Sequence, residues 1–185
     1  SQLTLTSSRH QQPLHISLDN LVFAHSQGSG TIGLYANYSV TGHVLVDDSA
    51  TLTSYGSNNL VRINGVLENW GKIVQSNPNA VSQASSELFS FFVEGEVSNS
   101  GVMAPSLMEV SSNISNNGIW HPHTTRLTAP KGNQPVVRSI SGQPLEGYLE
   151  LENNFTFGES FALHATLNTQ GHTITVPQGG RLEIQ

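Results

Sequence analysis

A short pattern returns along this chain: apolar, spacer, small residue, spacer, apolar, and Asn or Asp two or more places on. It reads Val40-x-Gly42-x-Val44-x-Val46-x-Asp48, then Ile63-x-Gly65-x-Leu67-x-Asn69, then Val93-x-Gly95-x-Val97-x-Asn99. Looser copies are Val110-x-Ser112-x-Ile114-x-Asn116, Leu145-x-Gly147-x-Leu149-x-Leu151-x-Asn153 and Leu163-x-Ala165-x-Leu167. Alternation with period two belongs to a strand with one buried face, and a lone short strand cannot bury that face except against its copies. The chain is therefore expected to be all-β, with repeats stacked on one another.

The spacing of the small residue selects among all-β folds. Gly42 to Gly65 is 23, Gly65 to Gly95 is 30, Gly95 to Ser112 is 17, Ser112 to Gly147 is 35 and Gly147 to Ala165 is 18. A minimum of 17 or 18 suits one coil of a parallel β-helix, a β-solenoid, and the larger values add loop excursions such as Ser76 to Leu88 and Trp120 to Arg138. A β-sandwich or jelly roll, with the Gly and Asn positions as ordinary hairpin turns, is the alternative. In strand phase the Asn of each copy points inward at a corner, where stacked amides can bond from coil to coil. The Gly beside it allows a bend that a larger residue would block. The best helical candidate, Asn77 to Ser86, is Ser-rich and short, and reads as a loop or a single turn.

Composition narrows the setting. Only 11% of the 185 residues are charged, against about 25% in typical globular domains, and Ser, Thr, Asn, Gln and Gly fill the polar positions. Seven Lys and Arg, scattered singly, stand against thirteen Asp and Glu for a net charge of −6, so a phosphate backbone is an unfavourable partner. The absence of Cys excludes disulfides and thiolate chemistry. No apolar run approaches the ~20 residues that span a bilayer, so membrane insertion is not expected, and SQLTLTSS lacks the features of a signal peptide. A single β-solenoid domain over 1–185 is the economical reading, with a fragment of a larger secreted protein as its variant.

Ile63 to Ile73 with Asn69 and Gly71, Val93 to Met103 with Asn99 and Gly101, and Ile114 to Trp120 with Asn116 and Gly118 share one form, apolar-x-Gly-x-apolar-x-Asn-x-Gly-x-apolar, most complete in the first two. These coils, with the segment from Val44 to Val74 and LHATLNTQGHTITVPQGGRLEI near the C-terminus, resemble the right-handed parallel β-helix repeats of filamentous-haemagglutinin-like and autotransporter passenger proteins. The resemblance covers 40–120 and 145–185 and departs from the family in its irregular spacing and in 120–144. It implies a secreted or surface-displayed bacterial stalk or adhesin, with no shared catalytic set to carry over.

Each candidate site has a plain structural role as its alternative. His121 and His123 flank Pro122 as a metal-like pair, with His164 and His172 further on, but a stable transition-metal site wants three or four converging ligands. Asp47 and Asp48 could hold Ca²⁺, or cap backbone N–H groups at a corner. Glu146, Glu150 and Glu152 on one strand, and Glu94 and Glu96 on another, could form the paired carboxylates of glycoside hydrolysis, or merely keep an exposed sheet soluble. No Gly-x-Ser-x-Gly elbow appears in a strand-to-helix context, and Gln27-Gly28-Ser29-Gly30 reads as a flexible loop. Phe89, Phe91, Phe155, Phe157 and Phe161 are expected in the core. Asn37, Asn113 and Asn154 head glycosylation triplets. Trp70, Trp120 and Tyr148 are the expected ligand-binding residues, as rings that could stack on sugars from the outside.

The expectation is a non-catalytic extracellular adhesion or structural module, binding carbohydrate or a surface protein or associating with its own copies. It has no cofactor, metal or catalytic residue. A carbohydrate-active enzyme, lyase or hydrolase, on the same scaffold is the second reading, and a structural subunit of a fibre or tail the third.

Overall fold

A computed structural model describes residues 2–5, 9–10, 14–15, 19–25, 28–35, 37–55, 58–75, 88–129, 135–139, 143–158 and 160–184. Every regular element among them is a β-strand, and every strand pairing is parallel. The chain is a parallel β-solenoid.

The winding has three faces. A nine-stranded sheet, from Gln2–Leu5 to Ile174–Thr175, makes the first. The second runs through Gly30–Leu34, Ala50–Ser54, Lys72–Val74, Val102–Ala104 and Ile119–Trp120. The third runs through Tyr38–Val40, Asn59–Ile63, Phe89–Val93, Leu107–Val110 and Thr124–Leu127. The second and third faces merge on the long strand Leu145–Leu151, where Leu145 pairs with Trp120 and Tyr148–Leu151 with Thr124–Leu127. Ser160–Asn168 then pairs along its length.

Register repeats the same side-chain character rung after rung. On the first face Leu21, Val44, Leu67, Val97, Ile114 and Val137 stack, all buried. On the second Ile32, Leu52, Ile73, Met103, Trp120, Leu145 and Leu163 stack, again buried. Each large apolar side chain so enclosed contributes about 1.5–3 kcal/mol. Phe89, Phe91, Phe155 and Phe157 lie in the core as expected, with Phe89 and Phe91 edge to face at 4.9 Å. The side chain of Phe161 lies outside the described residues.

The corner amides form the expected ladder. Asn69, Asn99 and Asn116 pair in register, fully buried; Asn69 Nδ2 donates to Asn99 Oδ1 at 2.7 Å and Asn99 Nδ2 to Asn116 Oδ1 at 2.8 Å. Their amides also donate to corner carbonyls of Val102, Ile119 and Gly118 at 3.0–3.1 Å. At the opposite corner the stack is backbone on backbone: a Cβ on Gly95 would lie 2.2 Å from the Gly65 carbonyl oxygen, and one on Gly65 2.2 Å from that of Gly42.

Three details differ from the repeat as first aligned. Asp48 is exposed at a turn, and the partner of Asn69 on that rung is Val46. The spacing of 35 between Ser112 and Gly147 conceals a further rung, because Ile114 pairs with Val137. Parts of the segment from Trp120 to Arg138, expected as an excursion, are accordingly strand, in Thr124–Leu127 and Val136–Ser139. Gly147 stands inside a strand of the merged faces, and its match to Ala165 is kept by direct pairing. The Asn77–Ser86 segment lies outside the described residues.

Candidate ligand-binding groove

Where the second face turns into the third, the chain crosses successive corners at Ala104-Pro105-Ser106 and Trp120-His121-Pro122-His123-Thr124. Proline twice at this corner suits a bend with no ladder donor to lose. The corner is concave, and a groove of about 900 Å³ runs along it from Val74 and Gln75 through Pro105, His121 and Pro122 to Tyr148 and Thr166. Its walls are mostly apolar, with a few polar side chains, the usual make-up of a small-molecule site.

The long strand Leu145–Leu151 forms one wall, and Gly147 lets it approach. Gly147 has φ of +97°, and a Cβ there would lie 2.1 Å from the Pro122 carbonyl oxygen. A side chain would thus be both strained and excluded. The neighbouring residues Glu146 and Tyr148 are half-buried. Glu146 Oε2 lies 2.6 Å from His121 Nδ1 across the rung. A carboxylate can only accept, so the ring donates its Nδ1–H in this contact. At one end of the groove, rungs away from Tyr148, Gln75 is pinned, its Oε1 accepting from Phe89 N at 3.1 Å and Ser106 Oγ at 2.8 Å.

The expected ligand-binding rings are not brought together. Tyr148 lines the groove. Trp120 is in the core, 1% exposed, because register sets it between Met103 and Leu145; its Nε1 donates to Thr125 Oγ1 at 3.0 Å, which satisfies two buried polar atoms at once. Trp70 is 54% exposed at the corner beside the Asn ladder, and its Nε1 donates to Glu68 Oε1 at 2.6 Å. Glu68 Oε2 in turn lies 3.2 Å from His43 Nε2.

Other candidates take structural positions. Asp47 Oδ1 accepts from the backbone N of Ser49 at 3.0 Å and from Ser49 Oγ at 2.5 Å, and these bonds hold its carboxyl below the usual range. Among the described residues no group of three or more His, Asp and Glu converges to hold a metal ion. Glu150 and Glu152 face Arg126, whose Nε lies 3.0 Å and 3.4 Å from them, and Arg126 Nη1 is 3.4 Å from Glu109. Glu94 and Glu96 are exposed at a corner. The triplet residues Asn37, Asn113 and Asn154 each accept, through Oδ1, a backbone N–H one rung away, from Leu60, Val136 and Thr173, each at 2.9 Å.

Sequence reasoning singled out the His121-Pro122-His123 cluster, Glu146 and Tyr148 in separate roles and missed that they share one corner with Pro105 and Thr166. The two Pro, each beside the start of a third-face strand 17 residues apart, were the available signal. It also missed the Tyr35–Tyr55 pair, stacked at 5.4 Å with 17° between planes.

Compared with models of protein families, with curated proteins and with solved structures, the chain matches none.

Proposed function

We propose that this chain is an extracellular, non-catalytic adhesion module whose stiff solenoid presents a groove for carbohydrate. The observation that carries the reading is the groove itself: a trough of about 900 Å³ with mostly apolar walls, a tyrosine ring and the His121–Glu146 pair, on a chain with only 11% charged residues. Apolar walls with sparse, fixed polar groups suit a ligand that is apolar on its ring faces and hydroxylated at its edges. The parallel ladder supplies rigidity, so little ordering has to be met when the ligand binds. The resemblance to filamentous-haemagglutinin-like repeats agrees with a secreted or surface-displayed setting.

A second reading is favoured by one contact. A histidine fixed at 2.6 Å by a carboxylate, beside a tyrosine, is an arrangement that can move protons, as a carbohydrate-active enzyme on this scaffold would require. Glycan-array binding and release of reducing or unsaturated sugar from the same polysaccharides separate the two. Binding without release supports the adhesin; release abolished by His121→Ala establishes the enzyme.

A further inference from the structure

Resting on the carbohydrate reading, we infer that the groove takes an uncharged linear oligosaccharide laid along the solenoid axis, one sugar ring on Tyr148 and hydroxyls bonded by the His121–Glu146 pair.

Direction and length follow from register. The groove touches five successive rungs, because Val74 pairs with Ala104, Met103 with Trp120, Trp120 with Leu145 and Tyr148 with Thr166. Four strand spacings of about 4.8 Å give a trough of about 19 Å, too long for one sugar ring and matched to an extended chain of several.

Charge sets the class. Among the described residues lining the trough there is no Lys or Arg; its imidazoles are His121 and His123, and the Glu146 carboxylate stands behind the lining on His121. A uronate or sulfated chain would find no fixed Lys or Arg cation there, and the Glu146 carboxylate beside the trough would oppose it while the desolvation of its own charges went uncompensated. A neutral chain incurs neither cost.

Backbone pairing separates a glycan from a peptide. An extended peptide binds a β-protein by adding to free main-chain donors and acceptors at a sheet edge. Here the trough crosses the strands, and its amides are already spent: Gln75 N on Ala104 O at 3.0 Å, His121 N on Met103 O at 2.8 Å, His123 N on Pro105 O at 3.1 Å and Tyr148 N on His123 O at 2.9 Å. Pro105 and Pro122 have no N–H to give. Recognition is left to side chains: a ring face, an imidazole, a carboxylate and the hydroxyls of Thr124 and Thr166.

The test is binding of the intact chain to arrayed linear glycans in neutral, uronate-containing and sulfated series of increasing length, followed by calorimetry on the best neutral binder. Affinity is expected to rise with length in the neutral series until the trough is filled, and then to level. Tyr148→Ala is expected to weaken binding by about tenfold or more, and Tyr148→Phe to retain it, since the ring face is kept. Thr166→Arg, at an exposed site, should block the trough's end; matching thermal melts certify that each variant is folded. If the wild type binds neutral glycans but Tyr148→Ala and Thr166→Arg bind equally well, the groove assignment falls while the carbohydrate module stands. If only anionic glycans bind, the ligand class is overturned. If no glycan binds, the underlying reading fails, and this inference with it.

Discussion

The amide of Asn69 donates to the side-chain carbonyl of Asn99 at 2.7 Å, joining residues thirty positions apart inside a fully buried corner. The bond has a direction: Asn99 passes its own amide to Asn116, and Asn69 Oδ1 at the ladder's foot has no hydrogen-bond partner among the described residues. Below it stands Val46, which ends the run of amides.

Asn99 is therefore the costliest ladder member to lose. Asn99→Ala leaves one Asn69 N–H and the Asn116 acceptor unpaired together and is expected to destabilise by about 2–4 kcal/mol. Asn69→Ala, whose carbonyl is already unpaired, should cost about half of that. Urea denaturation of both variants measures the difference, and equal losses would mean that the ladder bonds carry little net stability.

Gly95→Ala should cost at least about 1–3 kcal/mol, because its methyl would meet the Gly65 carbonyl oxygen at 2.2 Å and two rungs cannot part without breaking the ladders beside them. Gly179→Ala, with φ of +83° and no atom within 4 Å of the added carbon, incurs only backbone strain of about 1 kcal/mol. Thermal melts should rank the two in that order.

The carboxyl of Asp47 is held low first by the Ser49 hydroxyl and then by the Ser49 backbone N–H. A depressed folded value means that its contribution to stability is complete above the unfolded value, near 4, and is lost as pH falls through the folded one. Ser49→Ala should move the Asp47 titration, followed by NMR, back towards the ordinary carboxylate range. No movement would show that the hydroxyl contact does not persist in solution.

Arg126 neutralises Glu109 and Glu150 on neighbouring strands and also meets Glu152. Arg126→Ala should cost about 1–2 kcal/mol by leaving those carboxylates close together, whereas Glu152→Gln, at an exposed position, should change stability by less than about 0.5 kcal/mol. The Arg126→Ala deficit should shrink in 1 M salt, which screens the remaining repulsion.

Much of this was legible before any coordinates. Leu67, Val97 and Ile114 were aligned with their true partners, and the buried amides of Asn69, Asn99 and Asn116 were placed at a corner. The rung Val136–Ser139 was missed because it has neither the Gly nor the Asn: Val137 joins the apolar stack and Ser139 stands opposite Asn116. The paired carboxylates looked free because Arg126 is distant in sequence from Glu109 and from Glu150, and adjacent to both only through register.

What the sequence determined by itself was the strand pattern: period-two alternation, a small residue at a tight corner and an amide in need of a buried partner favour parallel stacking over a sandwich, and the register of the rungs decided between them. Which side of a strand faces inward is fixed over each short run, but where one corner ends and the next strand begins is not. Trp120 went to the core and Tyr148, half-buried, to the groove on that distinction. The groove joining Val74, Pro105, His121 and Tyr148 arises from the tertiary structure alone, since these residues lie rungs apart and are brought to one edge by the pitch of the winding.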